Sequence, residues 1–260
     1  ARRFLRRRSA RTSEAQISRR LTRMRRVLNE VDVLIAPSQF LREMHVHHGI
    51  AADRIHYSDY GMNTAAIHKS LRRPTAQLVF GYIGTLMPTK GVHVLVDAFL
   101  RVPEGRAELR IHGPPANKYL RDYARMIQQM IGRRSDIRLM GEYQPQEIGR
   151  ILAELDAIVV PSTWHENSPL TIHEAFLAGT PVITSNIGGM AELVADGVNG
   201  LHFTVGDADD LSRKLMMLIE NPALVSQLSA AAPPIKSIEE NATELEGMYE
   251  RLLGRAPGHG

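Results

Sequence analysis

The stretch that decides the fold is HENSPLTIHEAFLAGTPVI, residues 165–183. Ser168 is a favourable N-cap residue, and Pro169 suits the first position of a helix because that position needs no N–H donor. Gly179 supplies a usual stop, so the sequence predicts a helix of about ten residues. The first amides of such a helix, at Leu170 and Thr171 among others, have no partner within the helix and lie at the positive end of its dipole, so they can hold a phosphate.

The flanking sequence places this helix at one edge of a sheet. LDAIVVPS (155–162) predicts a buried strand ending at Val160 or Pro161, and TPVITS (180–185) predicts the next strand. The intervening loop therefore lies at the carboxyl end of a strand, where open α/β sheets bind ligands. Glu166 and Glu174 would repel a phosphate, so we expect them to bind sugar hydroxyls beside it. The alternative is a solvated acidic loop, since a pair of glutamates at this spacing also arises by chance.

Four segments in order resemble retaining glycosyltransferases of family 4. They are FGYIGTLMPTKGVHVLVDAF (80–99), LRIHG (109–113), IRLMGEYQPQEIGRILAELDAIVVPS (137–162) and PSTWHENSPLTIHEAFLAGTPVITSNIGGMAELVADGVNGLHF (161–203). The last contains the Glu-x7-Glu motif of that family in the same frame, and the matches cover most of residues 78–220. The resemblance implies an α/β, doubly wound, Rossmann-like parallel sheet that forms the C-terminal half of a GT-B fold, with a remnant of the first domain.

Composition excludes several classes of protein. The chain has 260 residues, of which 43% are hydrophobic and 23% charged, as in ordinary globular proteins. The absence of cysteine excludes disulfides, thiolate metal sites and thiol nucleophiles. No apolar run approaches the roughly 20 residues that span a bilayer, and the arginine-rich start lacks the apolar core of a signal peptide. We expect a cytoplasmic protein.

The positive charge is concentrated at the start of the chain. Residues 1–26 carry a net charge of +10 and the remaining residues −6. Ile17, Leu21, Met24 and Leu28 recur at helical spacing, which predicts an amphipathic helix with a solvated basic face. Peripheral contact with an anionic membrane is the alternative. Scarce aromatic residues in this segment disfavour nucleic acid as a partner.

The resemblance also divides the chain into domains. Residues 1–62 are expected to be a remnant of the acceptor-side domain and linker, with the basic helix followed by one strand and one helix over 31–44. Gly61 matches the linker glycine of the family. Residues 63–234 are expected to bind the nucleotide sugar, and residues 235–260 to form a crossing helix and tail. The resemblance thus implies a truncated two-domain enzyme that is weakly active or inactive as this fragment.

The pattern of residues predicts six strands and seven helices from residue 77 onward. The strands are expected at 78–83, 107–112, 136–140, 156–160, 181–184 and 200–203. The helices are expected at about 91–101, 117–131, 145–154, 170–178, 207–220 and 222–230, and within 235–254.

The resemblance assigns roles to particular residues. Lys90 would bind the donor diphosphate, beside Gly84 and Thr85, where the family commonly has Arg at the position of Thr85. Glu166 would hold the transferred sugar and Glu174 the ribose; Glu166 and Lys90 are the expected catalytic pair. The remaining expected contacts to the nucleotide sugar are Gly113, Gly141, Glu142, Tyr143, Asn167, Ser168, Pro169 and Leu170. The expected reaction is transfer of a glycosyl group from a nucleoside diphosphate sugar, with retention of anomeric configuration.

Other chemistries find less support in the sequence. His45, His47 and His48 lack nearby carboxylates at ligand spacing, so no metal or other cofactor is expected. His165 and His173 form no HExxH motif, and neither a P-loop nor GxGxxG follows any strand. A non-catalytic sugar-nucleotide-binding module and a nucleotide-sugar epimerase of the same architecture are the alternatives. The sugar, the base (uracil or guanine) and the acceptor, whether glycan, lipid or small molecule, are left open.

Overall fold

The computed structural model describes residues 13–68, 77–114 and 120–254. Residues 1–12, most of the basic segment, lie outside this description, as do the first residues of the helix expected at 117–131. The chain divides into two compact units, Ala1–Ser58 and Asp59–Gly260.

Within residues 13–58, the smaller unit contains two α-helices and two short strands. These are α1 (Glu14–Glu30), β1 (Leu34–Ala36), α2 (Gln39–His47) and β2 (Ile55–Tyr57). The expected strand and helix over 31–44 are thereby confirmed. β1 and β2 pair in parallel, and Ala36, Ile50 and Ile55 form the buried core of the unit.

The basic helix begins with a capping box, in which Ser13 and Gln16 satisfy each other's backbone amides. The expected apolar stripe is present on α1, but Ile17, Leu21 and Met24 are about half exposed, at 49%, 52% and 45%. Only Leu28 of the stripe packs against the small core. In the part of the chain that the structure describes, no helix is both long and apolar enough to cross a membrane.

The larger unit is built on a six-stranded parallel sheet. Its strands are β3 (Leu78–Ile83), β4 (Ala107–His112), β5 (Ile137–Gly141), β6 (Ala157–Val160), β7 (Val182–Ser185) and β8 (Gly200–Phe203). They lie in the order β5-β4-β3-β6-β7-β8, and every neighbouring pair is parallel. The six strands expected from the sequence are confirmed to within one residue at each end.

Eight helices of the larger unit lie within the described residues. They are α3 (Val92–Leu100), α4 (Arg121–Ile131), α5 (Ile148–Ala153), α6 (Leu170–Ala178), α7 (Gly188–Leu193), α8 (Ala208–Glu220), α9 (Pro222–Ala230) and α10 (Ile238–Leu252). The short helix α7 was not expected. The expected helix over 145–154 is split, because its first turn, Pro145–Glu147, is a 3₁₀ helix.

Both faces of the sheet are covered by helices, so the fold is doubly wound. Alternate residues of β3 show this: Phe80 belongs to the core shared with α3, α4, α8 and α9, whereas Val79 belongs to the core shared with α5 and α6. Such burial on both sides accounts for the continuous apolar strands in the sequence.

The strand order reverses between β3 and β6. From β3 the chain moves outward to β4 and β5, then returns to pair β6 with the other side of β3. In open α/β sheets, the carboxyl ends of the strands at such a reversal diverge and leave a crevice for a ligand. The segments that follow β3 and β6 contain Lys90 and Glu166, so the fold brings these two distant parts of the sequence to one crevice.

The last helix, α10, lies against the segment that opens the larger unit. Met62 N donates to Lys236 O at 2.9 Å, and Ile238 N donates to Met62 O at 3.0 Å. On this helix Met248 is buried, while Ile238, Tyr249 and Leu252 are about half exposed.

Candidate active site

Glycines bring the carboxyl ends of three strands close together. Gly84 N donates to His112 O at 3.0 Å, and Gly113 N donates to Gly141 O at 2.7 Å. A Cβ atom on Gly113 would lie 1.9 Å from Gly84 O, so no larger residue fits. The strand ends therefore form a floor of backbone atoms that a ligand can approach closely.

An ion pair joins the segments that follow β3 and β6. Lys90 ends the 3₁₀ turn Pro88–Lys90, and its Nζ lies 2.8 Å from Glu166 Oε1. Ser162 Oγ donates to the same carboxylate oxygen at 2.8 Å. The backbone reinforces the link, because Thr163 N donates to Thr89 O at 2.9 Å. Two residues predicted to act together, 76 positions apart, are thus in direct contact.

The ion pair lies in an open cleft of about 620 Å³. Tyr60, Gly61, Lys90 and the continuous segment 166–171 line it. A carboxylate, a lysine and the start of α6 form part of the cleft wall. The lysine and the helix start suit phosphate groups, and the carboxylate suits hydroxyl groups.

The start of α6 differs from the sequence-based expectation. Ser168 is not its N-cap, and Pro169 is not its first helical residue: Pro169 is extended, with φ −65° and ψ 118°, and the helix begins at Leu170. The physical reason is that two other side chains hold the Ser168 hydroxyl, which donates to the Asp59 carboxylate at 2.7 Å and lies 2.8 Å from His173 Nε2.

The amides at the start of α6 remain as the sequence suggests. The first backbone bond here runs from Ile172 N to Pro169 O at 3.0 Å. The amides of Leu170 and Thr171 precede that bond, and both residues line the cleft. This end of the helix therefore presents donors towards the ligand space.

Glu174 is half-buried on α6, whereas Glu166 lies in the loop before that helix. Burial raises the pKa of the Glu174 carboxyl. The pKa of Tyr143 is also raised, first by burial and then by the negative charge of Glu174. Tyr143 also packs against the core cluster that contains Ile172 and Phe176 of α6, so the turn at Gly141 and α6 lie close together.

Other predicted site residues lie on the same edge of the sheet. Gly84 and Gly141 have positive φ angles of 152° and 81°, which favour glycine. The Thr85 carbonyl accepts a hydrogen bond from the Tyr82 hydroxyl at 2.9 Å. Glu142 is exposed beyond the end of β5.

His112 lies at the end of β4. Burial, and then the charge of Arg110, lower the pKa of its imidazole. Its carbonyl supports Gly84, so the backbone of this residue contributes to the floor of the crevice.

The Gly188-Gly189 pair supports the ligand loop and was missed as a site feature. Gly189 N donates to Glu166 O at 2.8 Å, and a Cβ atom on Gly189 would lie 1.6 Å from Asn167 O. Gly188 has a φ of 58°, and a Cβ atom on it would lie 3.0 Å from Glu166 O. The signal in the sequence is a double glycine shortly after β7, which ends at Ser185, since close approach of two backbones is a common reason for glycine.

Asp59 was also missed. It lies in the segment interpreted only as a linker, yet its carboxylate accepts the Ser168 hydroxyl and lies 3.5 Å from His173 Nε2. Residues that are 109 positions apart carry no local signal of such a contact.

Metal-binding geometry is absent from the described part of the chain: no group of three or more His, Asp or Glu side chains there could hold a metal ion. His45 and His47 lie on α2, and His48 follows it.

The fold is a doubly wound α/β sheet with a cleft at the carboxyl ends of its strands, and comparison with known proteins gives the family. Residues 63–234, more than half of the chain, match the family described as glycosyl transferases group 1. The chain belongs to this family.

Curated relatives include a D-inositol 3-phosphate glycosyltransferase from Corynebacterium aurimucosum, 27% identical over 89% of this chain and 59% of the relative. A glycogen synthase from Mycobacterium tuberculosis is 32% identical over 66% of this chain and 41% of the relative. The chain thus spans about half the length of these relatives.

Solved structures share the fold. Anabaena HepE in complex with UDP and glucose has a TM-score of 0.78 and 23% identity, covering 88% of this chain and 66% of that one. Sucrose-phosphate synthase from Thermosynechococcus elongatus has a TM-score of 0.79 and 22% identity, covering 91% of this chain and 62% of that one. The six-stranded sheet corresponds to the C-terminal half of a GT-B glycosyltransferase.

Proposed function

We propose that this chain carries the donor site of a retaining glycosyltransferase of family 4, which uses a nucleoside diphosphate sugar. The observation that carries the proposal is the contact between Lys90 Nζ and Glu166 Oε1 at 2.8 Å, in the crevice where the strand order reverses. A cation and a carboxylate that share one cleft suit a ligand with phosphates at one end and hydroxyls at the other.

The diphosphate would bind between Lys90 and the start of α6. The lysine supplies a mobile positive charge, and the amides of Leu170 and Thr171 supply donors at the positive end of the helix dipole. Thr85 stands where the family commonly has a second cation, so Lys90 carries a larger share of the phosphate binding in this chain.

The two glutamates would bind hydroxyl groups on either side of the diphosphate. Both side-chain bonds described for Glu166 end on Oε1, and we assign Oε2 to the transferred sugar. Glu174, whose pKa burial raises, would accept the ribose hydroxyls, which compensate its loss of hydration. Tyr143 and the backbone of Gly141 and Glu142 would lie beside the base.

In this arrangement, catalysis is mainly positioning and charge stabilisation. Bond breaking at the anomeric carbon moves negative charge onto the departing diphosphate, where Lys90 and the helix amides stabilise it. The acceptor attacks from the same face, and the departing phosphate takes its proton. Because the acceptor attacks from the face that the diphosphate leaves, configuration is retained, while Glu166 holds the sugar and forms no covalent bond to it.

We further propose that residues 63–234 form the donor domain and that acceptor binding needs further residues from a preceding domain. The coverage of the relatives, 59% and 41% of their lengths, supports this division. The chain as given is then expected to bind the donor but to transfer its sugar slowly or not at all, and no metal is required for binding.

Calorimetry with UDP, GDP and a panel of their sugars tests the donor assignment. We expect binding of one nucleotide series by the wild type and a loss of about tenfold to a hundredfold in affinity for Glu174→Ala, since hydrogen bonds to charged groups contribute about 1.5–3 kcal/mol.

Glu220→Ala, at the exposed end of α8, is the matched control and should bind like the wild type. Absence of any nucleotide binding, or equal affinity in Glu174→Ala, would show that the assigned site is wrong.

A further inference from the structure

Beside the cleft, the Asp59 side chain meets two polar side chains from the region where α6 begins, Ser168 and His173. Ser168 Oγ lies 2.7 Å from Asp59 Oδ1 and 2.8 Å from His173 Nε2, and Nε2 lies 3.5 Å from the same carboxylate oxygen. Ser168 and His173 are almost completely buried, at 6% and 1% exposure. Their hydrogen bonds are therefore shielded from competition with water.

The chemistry of the three groups fixes the direction of these hydrogen bonds. An ionised carboxylate only accepts, so the single hydroxyl proton of Ser168 points to Asp59. Ser168 Oγ must then accept from His173, which requires a proton on Nε2. Burial lowers the pKa of His173, against a smaller opposing effect of Asp59, so the imidazole is neutral and in its Nε2–H form near neutral pH.

This direction separates the cluster from a hydrolytic triad. A nucleophilic serine gives its proton to a histidine, whose other ring nitrogen is held by the carboxylate. Here the serine proton is held by Asp59 directly, so the hydroxyl is not activated for attack. The cluster is suited to holding backbone segments in place.

Asp59 is itself well anchored. Its carbonyl accepts from Asn241 Nδ2 at 3.3 Å, and Met62 forms two backbone bonds with the segment that leads into α10. A Cβ atom on Gly61 would lie 2.6 Å from Ser237 O, so the chain between these points packs tightly on α10. The carboxylate is therefore presented from a fixed backbone.

We propose that Asp59 is a positioning residue for the donor loop. Through Ser168 it holds the segment 166–171 that lines the cleft, and through His173 it holds the turn of α6 that carries Glu174. The consequence of this role for donor binding rests on the proposed function, whereas the effect of Asp59 on the loop is present without a ligand.

The test is hydrogen–deuterium exchange of the segment 167–173 in the unliganded chain. Asp59→Ala removes the acceptor, and we expect amide exchange there to become about tenfold faster, as one charged hydrogen bond is lost. Asp59→Asn keeps an acceptor oxygen and should restore exchange to within about threefold of the wild type.

Asp136→Ala is the matched control. Asp136 is buried and bonds Arg134 at 2.8 Å, but it lies just before β5, at the opposite edge of the sheet from the cleft. It should lower the melting temperature without changing exchange in 167–173. Nitrogen NMR of His173 should also show the neutral Nε2–H form in the wild type.

The outcomes separate this proposal from the proposed function. Unchanged exchange in Asp59→Ala, equal acceleration in Asp136→Ala, or an Nδ1–H form of His173 would overturn it. Faster exchange with about tenfold weaker binding of UDP or GDP, rescued in Asp59→Asn, would support both proposals. If exchange is faster in Asp59→Ala but the wild type binds neither UDP nor GDP, the positioning role of Asp59 is supported and the proposed donor site is wrong.

Discussion

Replacing Gly189 with alanine should displace the donor loop while leaving the sheet intact. The added Cβ atom would lie 1.6 Å from Asn167 O, whereas real Cβ contacts essentially never fall under 3.0 Å. The carbonyl must therefore move by about 1.4 Å. The shift also breaks the 2.8 Å bond from Gly189 N to Glu166 O.

The magnitude follows from these two effects. Overpacking costs about 1–3 kcal/mol and the lost backbone bond about 1 kcal/mol, so Gly189→Ala should lose about 2–4 kcal/mol of unfolding free energy. Donor binding should weaken at least about tenfold, because the displaced segment contributes groups to the diphosphate and the sugar. Denaturant unfolding and calorimetry measure the two quantities independently.

Gly200→Ala provides the matched control. Its Cβ atom would lie 2.2 Å from Val182 O, a comparable clash between backbones, but at the start of β7 and β8 and far from the cleft. It should lose similar stability and keep its donor affinity at conditions where it is folded. Wild-type affinity in Gly189→Ala, or an equal loss in Gly200→Ala, would refute the reasoning.

Three further predictions concern ionisable side chains. Lys90→Met should weaken nucleotide binding about tenfold or more in calorimetry at low salt. Its free energy of unfolding should change by less than about 1 kcal/mol, because the ion pair with Glu166 is partly exposed. Equal nucleotide affinity of Lys90→Met and the wild type would contradict this prediction. Glu174→Gln should raise the melting temperature at neutral pH, because the raised pKa of Glu174 means that its negative charge destabilises the fold at that pH. The nucleotide affinity of this variant should fall. A lower melting temperature would contradict a destabilising effect of the buried charge. The pKa of His173 is lowered in the folded chain, so as the pH falls the unfolded chain protonates this imidazole first, and the free energy of unfolding should fall as the pH drops through about 6.5. In denaturant unfolding at several pH values, His173→Gln should show a smaller pH dependence of this free energy than the wild type. An unchanged pH dependence would exclude His173 as its source.

The sheet could be predicted from sequence because local patterns determine it. Continuous apolar runs between glycine-rich turns located all six strands, and the order of motifs indicated the ligand edge. Lys90 and Glu166 lie in the segments that follow β3 and β6, but their place in one site was expected from the family resemblance.

The features that sequence analysis missed depend on distant contacts or run against local preference. β2 is only three residues long and exists by pairing with β1. α7 begins with two glycines, which are poor helix formers, because those glycines pack against the loop at Glu166 and Asn167. Ser168 was expected to cap α6, which is a local role, but its hydroxyl donates a hydrogen bond to a carboxylate 109 positions away.

A crystal structure of the chain with a bound nucleoside diphosphate sugar, UDP- or GDP-linked according to calorimetry, is the most direct test of the proposed donor site. We expect the diphosphate between Lys90 Nζ and the amides of Leu170 and Thr171, the ribose hydroxyls on Glu174 and the sugar on Glu166. A nucleotide bound elsewhere, or bound with its sugar and ribose away from both glutamates, would contradict it.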